Sequence, residues 1–111
     1  MKMLAVAALA VTLSGPAFAA ASNFTLVNGT GGGLAELSIR RAGTQDWKPL
    51  GAAPADGARG AMAFNDPDCA FDLRANVAGA PVTWTGVNLC DVKSVVLKRD
   101  SSAGAWVDYD Q

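Results

Sequence analysis

The stretch Cys69-Ala70-Phe71-Asp72-Leu73-Arg74-Ala75-Asn76-Val77 decides the fold. Cys69, Phe71, Leu73, Ala75 and Val77 fall on one face of an extended chain, and Asp72, Arg74 and Asn76 fall on the other. Side chains alternate across a strand with a period of two, whereas a helix would need apolar residues three and four apart. The segment therefore predicts a strand with one buried face. Ala78-Gly79-Ala80-Pro81 then turns the chain, and Val82 to Asn88 returns with Val82 and Trp84 inward and Thr83 and Thr85 outward.

This hairpin predicts a covalent link. Pairing Val77 with Val82 across a four-residue turn sets Ala75 opposite Trp84, Leu73 opposite Gly86, Phe71 opposite Asn88 and Cys69 opposite Cys90. Directly opposed residues in a non-hydrogen-bonded pair have Cα atoms ~4.5 Å apart, near the short end of disulfide geometry. A bulge near Gly86 would relax the bridge. Cys69 and Cys90 are the only cysteines and the chain has no histidine. A zinc site would need two carboxylates beside them, so a disulfide is the expected use of the pair.

The same alternation extends outward. Ser22 to Asn28 sets Phe24 and Leu26 against Thr25 and Val27, and Leu34 to Arg41 sets Ala35, Leu37 and Ile39 against Glu36, Ser38 and Arg40. The glycine-rich turn between them, from Asn28 to Gly33, suggests a hairpin or two adjacent strands. Ala42 to Gly60 reads as a long loop pinned to the core by Trp47 and Leu50. Arg59 to Asn65 is a third strand with Met62 and Phe64 inward, followed by the turn Asp66-Pro67-Asp68. Ser94 to Arg99 and Ala105 to Tyr109, joined by a turn at 101–104, complete about seven short strands. Strands at this spacing without an amphipathic helix predict an all-β fold: a small antiparallel β-sandwich forming one domain over residues 20–111.

The N-terminus predicts export. Lys2 is followed by an apolar run from Leu4 to Leu13, the helix breakers Ser14-Gly15-Pro16, and the small-residue site Ala17-Phe18-Ala19. That order is the pattern of a cleaved signal peptide, here residues 1–19. A run of about ten residues is too short to span a bilayer, so no membrane insertion is expected after cleavage. The expected location is periplasmic or secreted, an oxidising setting that suits a disulfide. Loss of Lys2 takes the formal charge of −1 to about −2, which leaves no electrostatic footprint for nucleic acid. The basic doublets Arg40-Arg41 and Lys98-Arg99 each sit beside a turn and read as solvated strand ends. A monomer is expected.

Two groups of residues carry candidate chemistry. The four-residue-turn register brings Asp68 opposite Asp91, with Asn65 and Asp66 close by. Facing carboxylates need a cation, a lysine such as Lys93, or separation by solvent. Calcium, which takes six to eight oxygen ligands, is the cofactor that such a set would hold. A solvated turn is the simpler reading, because aspartates bracket turns for local reasons. Among the aromatics, Trp84 fits the core, while Trp47 and Trp106 are candidates for an exposed platform that binds a sugar or partner protein. Asn23-Phe24-Thr25 and Asn28-Gly29-Thr30 match the glycosylation sequon. Catalytic patterns are absent: there is no histidine base, no G-x-S-x-G or S-x-x-K motif, one glutamate (Glu36), and no lysine after the glycine run. No catalytic residue and no enzyme activity are expected.

Taken together, the run from Phe24 to Gly31, Leu37 to Ile39, Trp47 to Gly51, Gly60, Cys69 to Arg74 and Gly86 to Cys90 resemble a group of small exported bacterial β proteins of uncharacterised function. Their pattern is an N-x-T-G opening, a W-x-x-L element and a C-x-x-D-L…C pair, and the likeness extends over nearly the whole exported chain. The resemblance implies the β fold and the Cys69–Cys90 bridge, and it carries no catalytic residues. It highlights Asp72, for which a structural role, bonding a neighbouring loop backbone, is expected. The resulting expectation is a non-enzymatic binding or accessory module of the cell envelope, with a protein or glycan partner. The alternative is a calcium-binding β domain using Asp66, Asp68 and Asp91.

Overall fold

A computed structural model describes residues 20–90, 92–102 and 104–110. The expected signal peptide and Asp91 lie outside the described residues. The chain is all-β, with β1 (Phe24–Gly29), β2 (Leu34–Arg41), β3 (Lys48–Pro49), β4 (Arg59–Met62), β5 (Ala70–Val77), β6 (Ala80–Asn88), β7 (Ser94–Asp100) and β8 (Gly104–Asp110). They form two four-stranded sheets, ordered β4-β1-β7-β8 and β3-β2-β5-β6. The apolar sides of both sheets meet in one core built around Leu26, Phe71, Leu73, Val77, Trp84, Val87, Val95 and Leu97. Trp84 crosses from its own sheet to donate its indole N–H to the carbonyl of Lys98 at 2.9 Å. Its one polar atom is thereby satisfied inside the core.

The β5–β6 hairpin forms with a tighter turn than its sequence suggests. Val77 pairs with Ala80, Ala75 with Val82 and Leu73 with Trp84, so the loop is only Ala78-Gly79. Both residues have positive φ, 51° and 84°. A two-residue turn of that hand matches the right-handed twist of the flanking strands, which outweighs the cost of placing an alanine there. The register is thus two residues out from the expected one at the turn. A bulge between Phe71 and Leu73, with Gly86 at φ 64°, recovers one of them. Beyond it Phe71 pairs with Val87, and the Leu89 N–H reaches the Cys69 carbonyl at 2.9 Å. Cys69 and Cys90 are therefore diagonal rather than directly opposed, and they are joined by a disulfide with Cα atoms 5.1 Å apart.

β1 and β2 are not neighbours: they lie in opposite sheets. β1 pairs antiparallel with β4, as in Leu26 with Gly60, and parallel with β7, as in Leu26 with Val95. The connection crosses between sheets at Asn28, which is completely buried. Its side-chain amide donates to the carbonyls of Gly32 (2.9 Å) and Pro54 (3.1 Å) and accepts from Thr30 N–H (3.1 Å) and Thr30 Oγ1 (2.6 Å). Every donor and acceptor of the amide is used, as burial requires. The N-x-T pattern at Asn28 is therefore a corner of the fold, whose bonded amide leaves no room for a glycan in the folded state. In β2 an irregularity between Ala35 and Ser38, with Glu36 at φ 56°, leaves Ala35 exposed instead of inward with Leu37 and Ile39. The long loop contains the two-residue strand β3, paired with Ser38 and Ile39.

Candidate functional site

One end of the sandwich gathers the disulfide, the acidic turn and the connection that follows β2. Ala21 is tied there by reciprocal backbone hydrogen bonds with Asp66 (2.8 and 3.1 Å) and bridges to Cys90 as well. Asp66 closes its own turn by accepting the Asp68 N–H at 2.8 Å, the local bond that the Asp-Pro-Asp sequence favours. Across from it, Arg41 at the end of β2 lays its Nε 3.2 Å from both Asp66 oxygens and 3.2 Å from Asp68 Oδ2, with Nη2 3.1 Å from Asp66 Oδ1. Partial desolvation pushes the Asp66 carboxyl up. The Asp68 N–H and the Arg41 guanidinium outweigh it and hold the group below the usual aspartate value. Arg41 is raised in turn, chiefly by its hydrogen bond to Asp66 and then by the charges of Asp66 and Asp68.

The carboxylates of the acidic turn thus already face a cation, the Arg41 guanidinium. Asn65 is exposed beside them. Among the described residues no three Cys, Asp or Glu side chains lie close enough together to hold an ion.

Beside this ion-paired rim opens a cleft of about 270 Å³. Ile39, Phe64 and Phe71 form its floor, and Arg40, Arg41, Thr44, Asp46, Lys48 and Asp66 form its walls. Phe64 is held edge-on between Phe24 (6.2 Å) and Phe71 (5.1 Å), so the floor is fixed by ring packing. Lys48 and Asp46 stand 3.8 Å apart at the mouth with side chains 71% and 76% exposed. A pair so exposed holds together weakly and is free to exchange partners. The cleft therefore combines a rigid apolar floor, a fixed charged wall and a mouth bearing one mobile charge of each sign.

Asp72 and Trp47 build the outer face behind the cleft. Asp72 sits on the polar face of β5 but is buried, because Arg40 and the Gly86 bulge cover it. Its carboxylate accepts Arg40 Nε at 2.8 Å and the Gly86 N–H at 3.0 Å, so it fastens the bulge to β2. Arg40 and Arg74 both stack on the Trp47 ring, 4.4 and 4.0 Å from its centroid. Trp47 is consequently half-buried under two guanidinium groups and pins the loop before β3, so it does not present an open platform. Trp106, by contrast, is exposed on β8, an edge strand of the other sheet from β3, which Trp47 precedes.

Of the residues singled out in the sequence, the structure joins Asp66 and Asp68 in one cluster and places Trp47, Asp72 and Trp106 elsewhere. Of the residues that shape the cleft, Phe64 reads in the sequence as an inward strand residue and Arg41 as a solvated strand end, while Thr44 and Lys48 carry no local signal. Arg41 belongs to a basic doublet, but its approach to the acidic turn is a contact between residues 25 apart that no local pattern encodes. Compared with known proteins, the chain matches no family model, no curated protein and no solved structure.

Proposed function

We propose that this protein is an exported, non-enzymatic binding module of the bacterial cell envelope, and that the cleft beside the disulfide receives its ligand. The observation that carries this reading is the cleft itself: an apolar floor of Ile39, Phe64 and Phe71 beneath a wall of ion-paired side chains. Small-ligand sites combine these parts, a hydrophobic floor for affinity and a few fixed polar groups for orientation. Export is supported by the leader-like N-terminus and by the disulfide, which persists outside the reducing cytoplasm. A binding role is supported by a chain that has no histidine and whose cysteines are both oxidised.

The test is amide-resonance mapping of the labelled protein titrated with fractions of solubilised bacterial envelope. Shifts centred on Ile39, Thr44, Lys48 and Phe64 are expected. They should vanish in Thr44→Trp, which fills the mouth, and survive in Ser101→Trp at the opposite end. Shifts that persist in Thr44→Trp, or that never reach the cleft with any fraction, would overturn the assignment.

A further inference from the structure

Alternate residues of β7 face the core. Val95 and Leu97 are completely buried there, and Arg99 takes the next position on the same side. It pairs with Ala105 just as Leu97 pairs with Val107, which packs on the core. Strand alternation thus carries a guanidinium toward the space between the two sheets. The backbone is fixed at that point, because the Trp84 indole, from the opposite sheet, donates to the Lys98 carbonyl at 2.9 Å.

Around Arg99, at the end of the sandwich away from the disulfide, opens a hollow of about 530 Å³. Pro81, Val82 and Ala105 give it an apolar side, and the exposed hydroxyl residues Thr83 and Ser101 edge it. Thr30, buried with its hydroxyl committed to Asn28 at 2.6 Å, closes the back.

Two arginines of the described residues are half-buried, Arg40 and Arg99. Asp72 neutralises Arg40 at 2.8 Å. Arg99 has no such partner: among the described residues it makes no ion pair, hydrogen bond or ring stack. None of its nitrogens is sealed from solvent, so the guanidinium opens onto the hollow. The carboxylate that shares the hollow, Asp100, is engaged by the hairpin turn, where its Oδ1 accepts the Ser102 N–H and hydroxyl at 2.7 Å each. A cation drawn partly out of water without a counter-charge costs stability. Its planar fork of N–H donors matches two oxygens of one carboxylate or phosphate.

We propose that the hollow at Arg99 is a second binding site, separate from the cleft beside the disulfide, and that it takes a sugar acid or sugar phosphate. The acid group docks on the Arg99 guanidinium and supplies the missing counter-charge. Thr83 and Ser101 offer hydroxyls to the polar edge of the sugar, while Pro81, Val82 and Ala105 receive the apolar face of its ring.

The experiment titrates the labelled protein with glucuronate, glucose 6-phosphate and glucose at constant ionic strength, read from amide and arginine side-chain resonances. At least one of the two acids should give saturable shifts at Thr83, Arg99, Ser101 and Ala105, and the tighter of them identifies the acid group. Glucose should give none. Arg99→Met keeps the apolar stem and removes the fork. Binding should then weaken about tenfold or more, while Tm holds or rises because an unneutralised charge has left the interior. Lys98→Met removes the adjacent charge, on the outer face of β7, and should leave affinity unchanged. Shifts absent with both acids, equally strong with glucose, or unaltered in Arg99→Met would overturn the site, as would equal losses in the two variants. A Tm fall of several degrees in Arg99→Met would also overturn it, by assigning the guanidinium a bond within the fold.

Discussion

Asn28→Asp is the sharpest probe of the corner that sends β1 and β2 into different sheets. The change keeps shape and volume, so no cavity is created and the effect isolates hydrogen bonding. The acceptor atom facing Thr30 survives, preserving the bonds from Thr30 N–H and Thr30 Oγ1. The donor atom is lost, and an oxygen now faces the carbonyls of Gly32 and Pro54 at distances near 2.9 and 3.1 Å. The single Thr30 hydroxyl proton stays with the residue-28 oxygen and leaves Gly32 O at most a shared contact at 3.1 Å, while Pro54 O loses its partner outright. One orphaned buried acceptor costs about 1–3 kcal/mol. A carboxylate forced among carbonyls at a fully buried site adds a similar or larger penalty, giving about 3–5 kcal/mol at neutral pH. For a domain of this size that lowers Tm by about 12 °C or more.

Acid should reverse part of the loss. Burial and the facing carbonyls favour the protonated form of the introduced carboxyl, which can donate to one of them, so its folded pKa lies above its unfolded value. Between those two values the folded state binds more protons than the unfolded state, and stability falls as pH rises. The deficit against the unmodified protein, measured by urea denaturation, should therefore be smallest near pH 4 and grow toward pH 7. A deficit below about 1 kcal/mol at pH 7, or one independent of pH, would refute the closed amide corner.

Other outcomes can be stated briefly. Cys69→Ser opens the loop between residues 21 apart and should cost about 3 kcal/mol, read as a Tm drop of roughly 12–20 °C; an unchanged melting curve counts against the staple. Because the folded Asp66 carboxyl lies below its ordinary value, its contribution is present above the unfolded pKa of about 3.9 and is lost as pH falls through the lower folded one. Asp66→Asn should thus flatten the acid limb of the stability curve below about pH 4, and an unchanged limb would place the acid sensitivity elsewhere. Millimolar calcium should shift Tm by less than about 1 °C, since Arg41 already holds both carboxylates; a rise of several degrees would revive a cation site at the acidic turn. Mass spectrometry of the protein recovered from a bacterial periplasm should find Ala20 at its N-terminus, and a chain retaining Met1 to Ala19 would contradict export.

What could be read in the sequence was whatever a strand writes into its own residues. The alternation from Cys69 to Val77 locates β5, and it brings the two cysteines close because both lie on adjoining strands of one hairpin. The fine register escaped, because Ala78 at φ 51° carries no glycine to announce the two-residue turn. β1 and β7 pair in parallel through residues nearly seventy positions apart, and parallel neighbours leave no turn between them to recognise. The same holds for the candidate site. Asp66 and Asp68 stand out as turn residues. The cleft exists only because β2, the loop before β3 and the segment after β4 converge on Phe64 and Phe71. Asn28 is the instructive case, a polar residue in a glycine-rich turn whose complete burial depends on Pro54, far along the chain.

The pairing of β1 with β7 also dictates an order of events. A chain made from its N-terminus delivers β1 first, yet the middle of its sheet cannot close until Ser94 to Lys98 has arrived. β2, β5 and β6 are complete by Asn88, and the two cysteines are both present once Cys90 emerges. β1 can meet β4 by Met62, but its other side has no strand to pair with until β7 is made. Closing so distant a pair late makes folding slow for a domain this small.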